Sequence, residues 1–339
     1  MKSDERLFHL LKVIIEEYTN NPIPLSSDLV QKKFFPELSP QTVRNEMAEL
    51  EKQGLLEKTH TSSGRIPSVK GYKFYESKIL IPFEDKNVKS KLMKIFQKRD
   101  LSIDDIIEHS TTILQETFKL PIVISKSKDN ERLKRFDLIQ ISDNEALILI
   151  VTSSAEVIKN TITFNHKVQF DDIAICIRVF NDRLIDTKIS ELSSKIVPLK
   201  NIIKNAVHEY EFCIQQVIEK IFNINTKSFE TDIKGASLIT TQTEFRDVEK
   251  LKQILSLLED TNIWKHIALN QQKSGRTSIT FGDDIGKEGL AIASTTFTLN
   301  ENSKQQLSII GPVRMNYAKV QGLLSFINSE IEKYVKDSK

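Results

Sequence analysis

The chain has 339 residues, too many for one ordinary hydrophobic core, so we expect two or three domains. Its hydrophobic content of 39% and charged content of 28% are those of a soluble globular protein, and a formal net charge of +2 does not by itself favour a polyanionic partner. The opening residues lack the apolar stretch of a secretory signal, and no run reaches the roughly 18 apolar residues of a membrane span, so we expect a cytoplasmic protein with no membrane contact. The two cysteines, Cys176 and Cys213, lack CxxC spacing, which argues against a disulfide framework or a cysteine-rich zinc site.

Two helices are predicted before residue 37. Apolar residues recur at three- and four-residue steps from Leu7 to Tyr18, which predicts a first helix that ends before Pro22. A short second helix should begin at a capping serine, either Ser26 or Ser27.

A third helix carries the strongest functional signal. Ser39 should cap it, Pro40 suits its first position, and Gly54 should close it. At about 100° per residue, its apolar positions face the core, and these are Val43, Met47 and Leu50. The opposite side lacks carboxylates and offers groups that pair with base edges, as Arg does with guanine and Asn or Gln with adenine. The predicted base-reading residues are Gln41, Thr42, Arg44 and Asn45. For this helix alone, a merely solvated polar face is an equal alternative.

A hairpin follows that helix and favours DNA binding over a merely solvated polar face. Residues 55–58 predict a strand, residues 59–64 a turn and residues 65–67 a return strand, before another helix begins at Lys70. A hairpin in this place is typical of a winged helix-turn-helix, although a solvated hairpin is the alternative. Its positive side chains, hydroxyls and backbone suit phosphate or minor-groove contact. The predicted backbone and wing residues are Lys52, Lys58, Thr61, Ser62, Ser63, Gly64, Arg65, Lys70 and Lys73. Gly64 should supply a positive φ at the tip.

The remaining chain predicts an α+β arrangement after a proline break at residues 81–85. Helices are predicted at 87–97, 103–118 and 319–335, the second with a capping pair formed by Ser102 and Asp105. Strands are predicted at 122–125, 133–141, 146–152, 157–164, 277–281, 290–297 and 306–310, with a hairpin turn at 143–145. This order suggests one antiparallel α+β domain that carries an insertion at about 165–243, with helices at 171–181 and 201–222. The apolar sector of the helix at 201–222 fits burial in its own small domain and a dimer contact equally well.

No grouping of residues predicts catalysis. The sequence lacks a Walker A loop, a GxGxxG turn, HExxH and GxSxG, and its six histidines lack metal-ligand spacing. Asp283 and Asp284 lack the ligand ladder of a calcium loop, and Cys176 lies in an apolar run that predicts a buried, inert thiol. We therefore expect no catalytic residue, no metal and no cofactor.

Several runs resemble one known family. Residues 39–51 read SPQTVRNEMAELE, residues 54–57 GLLE, residues 60–67 HTSSGRIP and residues 70–72 KGY. Near the other end, residues 309–317 read IIGPVRMNY. The first runs are similar to the HrcA family of heat-inducible transcription repressors, and the last is close to that family's Gly-Pro-Thr-Arg-Met signature.

The resemblance implies a fold and a mode of action. It implies an α+β multidomain protein with a winged helix-turn-helix at 1–82, a GAF-like domain at 83–164 and 244–339, and an inserted dimerisation domain at 165–243. It also implies a homodimer on an inverted-repeat operator (the CIRCE element) upstream of chaperone genes. A GroE-type chaperonin would keep the repressor in its DNA-binding form.

Two other classes of function stay open at this point. A regulator that senses a metabolite through its GAF-like domain is physically possible, but no cluster of convergent polar residues marks a pocket. An enzyme with an appended DNA-binding domain, such as a biotin-ligase-like repressor, is disfavoured because the glycine-rich ligand loop is missing.

Overall fold

The computed structural model describes residues 3–59, 64–98, 100–127, 131–153, 156–164, 170–204, 229–274, 277–300 and 303–337. The chain divides into two compact units. The first consists of Met1–Ile124, Asp232–Thr296 and Gln306–Lys339, and the second of Ser125–Thr231 and Phe297–Gln305. Helices and sheets occur in both, so the predicted mixed α and β composition is confirmed.

Both helices predicted before residue 37 are present in the structure. Helix α1 spans Ser3–Asn20 and buries its apolar stripe, with Leu11 and Ile14 fully enclosed. Helix α2 spans Ser27–Phe34, and the Ser26 side chain accepts a hydrogen bond from the Leu29 amide at 3.2 Å. Because that bond satisfies one of the unpaired amides of the first turn, Ser26 is the cap.

Helix α3 spans Pro40–Lys52 and is closed at both ends by local hydrogen bonds. The Ser39 side chain accepts from the Thr42 amide at 3.0 Å, which confirms the predicted cap. Gly54 has a φ of 73°, and the next amide, that of Leu55, donates to the Leu50 carbonyl at 2.8 Å. This left-handed closure is typical of a helix that ends in glycine. The predicted core positions Val43, Met47 and Leu50 are all buried.

A short hairpin and a fourth helix follow α3. Strands β1 (Leu56–Lys58) and β2 (Arg65–Pro67) are antiparallel, and Leu25 adds a backbone bridge to Arg65 that the sequence did not reveal. Helix α4 spans Val69–Phe74 and continues as a π-helical turn over Tyr75–Ile79.

Among its described residues, the rest of the first unit contains five further α-helices. They are α5 (Lys86–Phe96), α6 (Ile103–Phe118), α10 (Val248–Glu259), α11 (Thr261–Ser274) and α12 (Tyr317–Asp337). Helix α6 has the predicted capping box between Ser102 and Asp105. Helices α10 and α11 were not predicted, although Asp247 caps α10 and its Ile254 and Leu257 have helical spacing and are buried.

A five-stranded sheet has the order β7-β3-β10-β9-β8. Its strands are β3 (Ile122–Ser127), β7 (Phe229–Lys234), β8 (Thr277–Phe281), β9 (Leu290–Asn300) and β10 (Ser303–Pro312). Of the early strands, only β3 joins the late ones. The other early strands form a separate sheet, a pairing across long sequence separations that local pattern does not encode.

The second unit contains a three-stranded antiparallel sheet covered by helices. The strands are β4 (Leu133–Ser142), β5 (Glu145–Thr152) and β6 (Val157–Thr163), and the helices are α7 (Phe170–Leu184), α8 (Leu192–Ile196) and α9 (Lys200–Lys204). Cys176 lies fully buried in their shared core, as predicted. Cys213 and most of the predicted helix 201–222 lie outside the described residues. The predicted domain boundaries at 82, 164 and 243 stay a prediction, and a fragment cut at 164 would divide this core.

Within the described residues, no helix combines the length and apolarity needed to cross a membrane.

Candidate nucleic-acid interface

The outer face of α3 is open to solvent. Gln41, Arg44 and Asn45 are exposed, and Thr42 is half-buried. These side chains point to solvent because the apolar face on the other side of the helix is buried, and side chains about 180° apart around a helix point in opposite directions. Helix α3 therefore presents the predicted base-reading residues at its surface.

Three of these four side chains have local hydrogen bonds. The Gln41 amide donates to Asn45 Oδ1 at 2.8 Å, one helical turn away, and the Thr42 hydroxyl lies 2.8 Å from Ser39 Oγ. Arg44 differs, because none of the described residues forms a hydrogen bond or an ion pair with its side chain. Its guanidinium group is thus available for a bidentate contact with an external acceptor.

Two carboxylates on the flank of α3 are engaged within the protein. Glu46 accepts hydrogen bonds from Arg6 of α1, and its side chain is only 12% exposed. Glu49 accepts from the Gln53 amide at 3.0 Å. Glu46 is thus neutralised by its ion pair, whereas Glu49 keeps its negative charge because Gln53 is neutral. Glu49 lies on the flank of α3, and the outward face that exposes Arg44 has no carboxylate, which suits an anionic partner.

The basic residues of the hairpin gather at the C-terminal end of α3. Arg65 Nε donates to Glu51 at 2.7 Å, and Lys58 Nζ lies 3.4 Å from the same carboxylate. Burial alone would raise the pKa of Glu51, but the hydrogen bonds and charges of Arg65 and Lys58 outweigh it, so this pKa lies below its ordinary value. Lys70 donates to the Gln53 carbonyl at 2.8 Å. Arg65, Lys58 and Lys70 therefore form one cluster, with Glu51 neutralising part of its charge.

The last two predicted lysines lie in different surroundings. Lys52 is exposed, and its side chain has no hydrogen-bond or ion-pair partner in the part of the chain that the structure describes. Lys73 instead pairs with Asp284 at 2.6 Å and lies 5.5 Å from the centre of the Phe281 ring. Lys73 thus contacts the C-terminal part of the first unit rather than the hairpin cluster.

The tip of the hairpin is only partly described. Thr61, Ser62 and Ser63 lie outside the described residues, so their predicted roles stay predictions. Gly64 is buried and does not have a positive φ, so that expectation was wrong. A Cβ at this position would lie 2.8 Å from Pro24 Cβ, closer than real contacts allow. Close packing against Pro24 is therefore the reason for glycine here.

Arg314 connects three distant segments of the first unit, a role that the sequence did not reveal. It forms an ion pair with Glu244, and its Nη1 lies 3.4 Å from the Thr19 carbonyl at the end of α1. Burial would raise the pKa of Glu244, but the hydrogen bonds, chiefly from Arg314, hold it below its ordinary value. In the sequence, Arg314 stands out only as part of a family signature, because no local pattern links residues so far apart.

Comparisons with known proteins indicate a single family. The family model described as HrcA protein C terminal domain matches residues 104–320. The heat-inducible transcription repressor HrcA of Mycoplasmoides gallisepticum is 46% identical over 98% of this chain and 95% of its own length. The repressor of the same name from Mycoplasma genitalium is 41% identical over 98% of this chain and 96% of its own length.

A solved structure supports the fold alone. It is a crystal structure described as a hypothetical protein, with a TM-score of 0.60 and 18% identity, covering 98% of this chain and 99% of its own. The family model spans well over half of the chain, and the relatives match it almost end to end. The chain therefore belongs to the HrcA family of heat-inducible transcription repressors.

Proposed function

We propose that residues 1–82 are a winged helix-turn-helix that binds operator DNA, with α3 in the major groove and the β1–β2 hairpin as the wing. The observation that carries this proposal is the outer face of α3, which exposes Arg44 without a hydrogen-bond or ion-pair partner among the described residues, while Glu46 on its flank is paired with Arg6. An α-helix fits the major groove of B-DNA, where base edges can be distinguished.

The four polar residues of α3 have distinct proposed roles. Arg44 pairs with a guanine. Gln41 and Asn45 give up their mutual hydrogen bond, and each can then bind the edge of an adenine. Thr42 lies near the N-terminal end, where it can contact a base or the backbone. The residues proposed to contact phosphates and the minor groove are Lys52, Lys58, Thr61, Ser62, Ser63, Arg65, Lys70 and Lys73.

The proposed active form is a homodimer. One winged helix reads only a few base pairs, so useful specificity needs two copies on a two-fold symmetric operator. We assign dimer contacts to the insertion at 165–243, and we assign the α+β remainder, at 83–164 and 244–339, to a GAF-like domain. The target is an inverted repeat upstream of chaperone genes, reached in the cytoplasm, and a GroE-type chaperonin maintains the DNA-binding form.

Heat-inducible repression is favoured over metabolite sensing. The relatives are named heat-inducible repressors. Two cavities of the first unit, of about 270 and 200 Å³, are smaller than the roughly 300–1,000 Å³ typical of ligand pockets.

The proposal is tested by footprinting the purified chain on the promoter regions of its own chaperone genes. We expect two protected half-sites related by inverted symmetry, with centres about one or more whole helical turns of roughly 10.5 base pairs apart. Titration should give two chains per site. The matched control is the same duplex with one half-site scrambled, which should lose protection on both sides. Protection of one asymmetric patch by a single chain would contradict the dimer, and no protection would contradict the proposed function.

A further inference from the structure

Helix α5 carries a dense positive charge that the proposed function does not use. Residues 86–98 contain five lysines and no acidic residue, in a chain whose net charge is only +2. The exposed ones are Lys86, Lys91, Lys94 and Lys98. At about 100° per residue, the three within α5, which are Lys86, Lys91 and Lys94, fall within an arc of roughly 140°, and Lys98 lies two residues beyond the end of the helix. The exposed residues between them, Asn87, Ser90 and Gln97, are uncharged.

The opposite face of α5 is fixed to the first unit. Val88 and Leu92 are buried, and the Asp85 side chain caps the helix by accepting from the Val88 amide at 3.0 Å. Asp85 also pairs with Lys319 of α12 at 2.9 Å. Glu84, which precedes the helix, pairs with Lys89 at 2.7 Å. The basic face is therefore held in one orientation, and the two carboxylates at its N-terminal end are engaged, whereas the exposed Asp100 follows its C-terminal end.

Three lysines of this face have no ion-pair partner among the described residues. Among the described residues, none forms a hydrogen bond or an ion pair with the side chains of Lys91, Lys94 or Lys98. Lys91 and Lys94 are three residues apart within α5, a spacing at which like charges repel along a helix, and Lys98 follows shortly after the helix ends. A bound polyanion would relieve this repulsion.

We infer that the exposed lysine face of α5 is a second DNA-binding surface, which contacts the phosphate backbone of the duplex without reading its sequence. Within α5, Lys86 to Lys94 span about 12 Å along the helix axis, at 1.5 Å per residue. One DNA strand carries a phosphate about every 3.4 Å along the duplex axis, so this span matches roughly three phosphates. The helix begins seven residues after the π-helical turn that ends α4, so it is continuous in sequence with the proposed DNA-binding segment. This inference rests on the proposed function, because it supposes that the chain meets DNA.

The test compares the full chain with the triple variant Lys91→Gln, Lys94→Gln and Lys98→Gln. Binding to a duplex of about 60 base pairs, with and without the operator, is measured from low to high salt. Each lost phosphate contact reduces the slope of log K against log salt by about 0.9, so the triple variant should lose about 2 to 3 units of slope on both duplexes. Its preference for the operator should be unchanged.

Two controls separate this result from charge loss and from misfolding. The variant Lys134→Gln, Lys159→Gln and Lys252→Gln removes the same charge from exposed positions elsewhere and should keep the wild-type slope. Replacing the three α5 lysines by arginine should restore binding. Glutamine has nearly the helix propensity of lysine, so the thermal unfolding of the triple variant should match that of the wild type.

The outcomes distinguish this inference from the proposed function. If the wild-type chain shows no operator preference, the proposed function fails, whereas the salt slope still tests α5. An unchanged slope in the triple variant would overturn the inference. It would also be overturned if that variant kept its DNA binding but lost binding to phosphatidylglycerol vesicles, since the face would then serve a membrane surface.

Discussion

Glu51 controls how much positive charge the hairpin can offer to DNA. It holds Arg65 at 2.7 Å and Lys58 at 3.4 Å, and both are proposed phosphate contacts. Replacing Glu51 by Gln should therefore strengthen binding to any duplex, by roughly 2- to 10-fold, because it removes one negative charge that both neutralises these two cations and repels DNA. The free energy of unfolding should fall by no more than about 1 kcal/mol, since the pair is partly exposed. Fluorescence anisotropy on specific and random duplexes measures the first effect.

Glu49→Gln is the matched control for that prediction. It removes the same charge from the same helix, but Glu49 accepts only from Gln53 and restrains no cation. Its effect should be smaller than that of Glu51→Gln. Weaker binding by Glu51→Gln would contradict this prediction, since the ion pair would then be needed to hold the hairpin in its DNA-binding conformation.

The exposure of a side chain could be predicted from sequence where it depends only on the repeat of a single helix. The exposure of Gln41, Arg44 and Asn45 follows from the 3.6-residue repeat of one helix. The pairing of Glu51 with Arg65 was not predictable, because the partners are 14 residues apart and meet only when the hairpin folds back.

At the scale of elements, the cap of α3 should matter both for stability and for DNA binding. Ser39→Ala removes the 3.0 Å bond to the Thr42 amide and should cost about 1 kcal/mol in the free energy of unfolding. Because Gln41 and Thr42 lie in the first turn, fraying there should weaken operator binding more than binding to random DNA. Chemical denaturation and a DNA titration measure the two effects.

Ser39→Asn is the control for the cap, since asparagine caps as well as serine. Its stability should match the wild type within a few tenths of a kcal/mol. If Ser39→Ala left both stability and operator preference intact, the first turn would not depend on its cap.

Single elements were largely predictable, whereas their pairing was not. Caps at Ser26, Ser39 and Ser102 and the turn between β4 and β5 are short-range features, and the structure has each of them. The division of the early strands between two sheets depends on long-range partners. The glycine at position 64 was misread because its reason, the approach of Pro24, lies 40 residues away.

At the scale of the whole molecule, the pair formed by Glu244 and Arg314 should make the first unit sensitive to acid. The folded pKa of Glu244 is depressed, so its contribution to stability is present above the ordinary carboxyl pKa and is lost as the pH falls through the folded value. A double-mutant cycle with Glu244→Gln and Arg314→Gln should give a coupling of about 1 kcal/mol at pH 7. The same cycle below pH 4 should give a smaller value. A coupling that does not change between the two pH values would show that the charge of Glu244 is not what holds these segments.

The most direct measurement of the central claim is the specificity of Arg44→Ala in DNA binding. Because the exposed Arg44 is proposed to pair with a base, the variant should lose about 1–3 kcal/mol on the operator and little on a random duplex, with relaxed preference at one base pair. The control is Lys52→Ala on the same helix, which should weaken both duplexes equally and reduce the salt slope by about 1. If Arg44→Ala weakened the operator and the random duplex to the same extent, α3 would not read the sequence through Arg44.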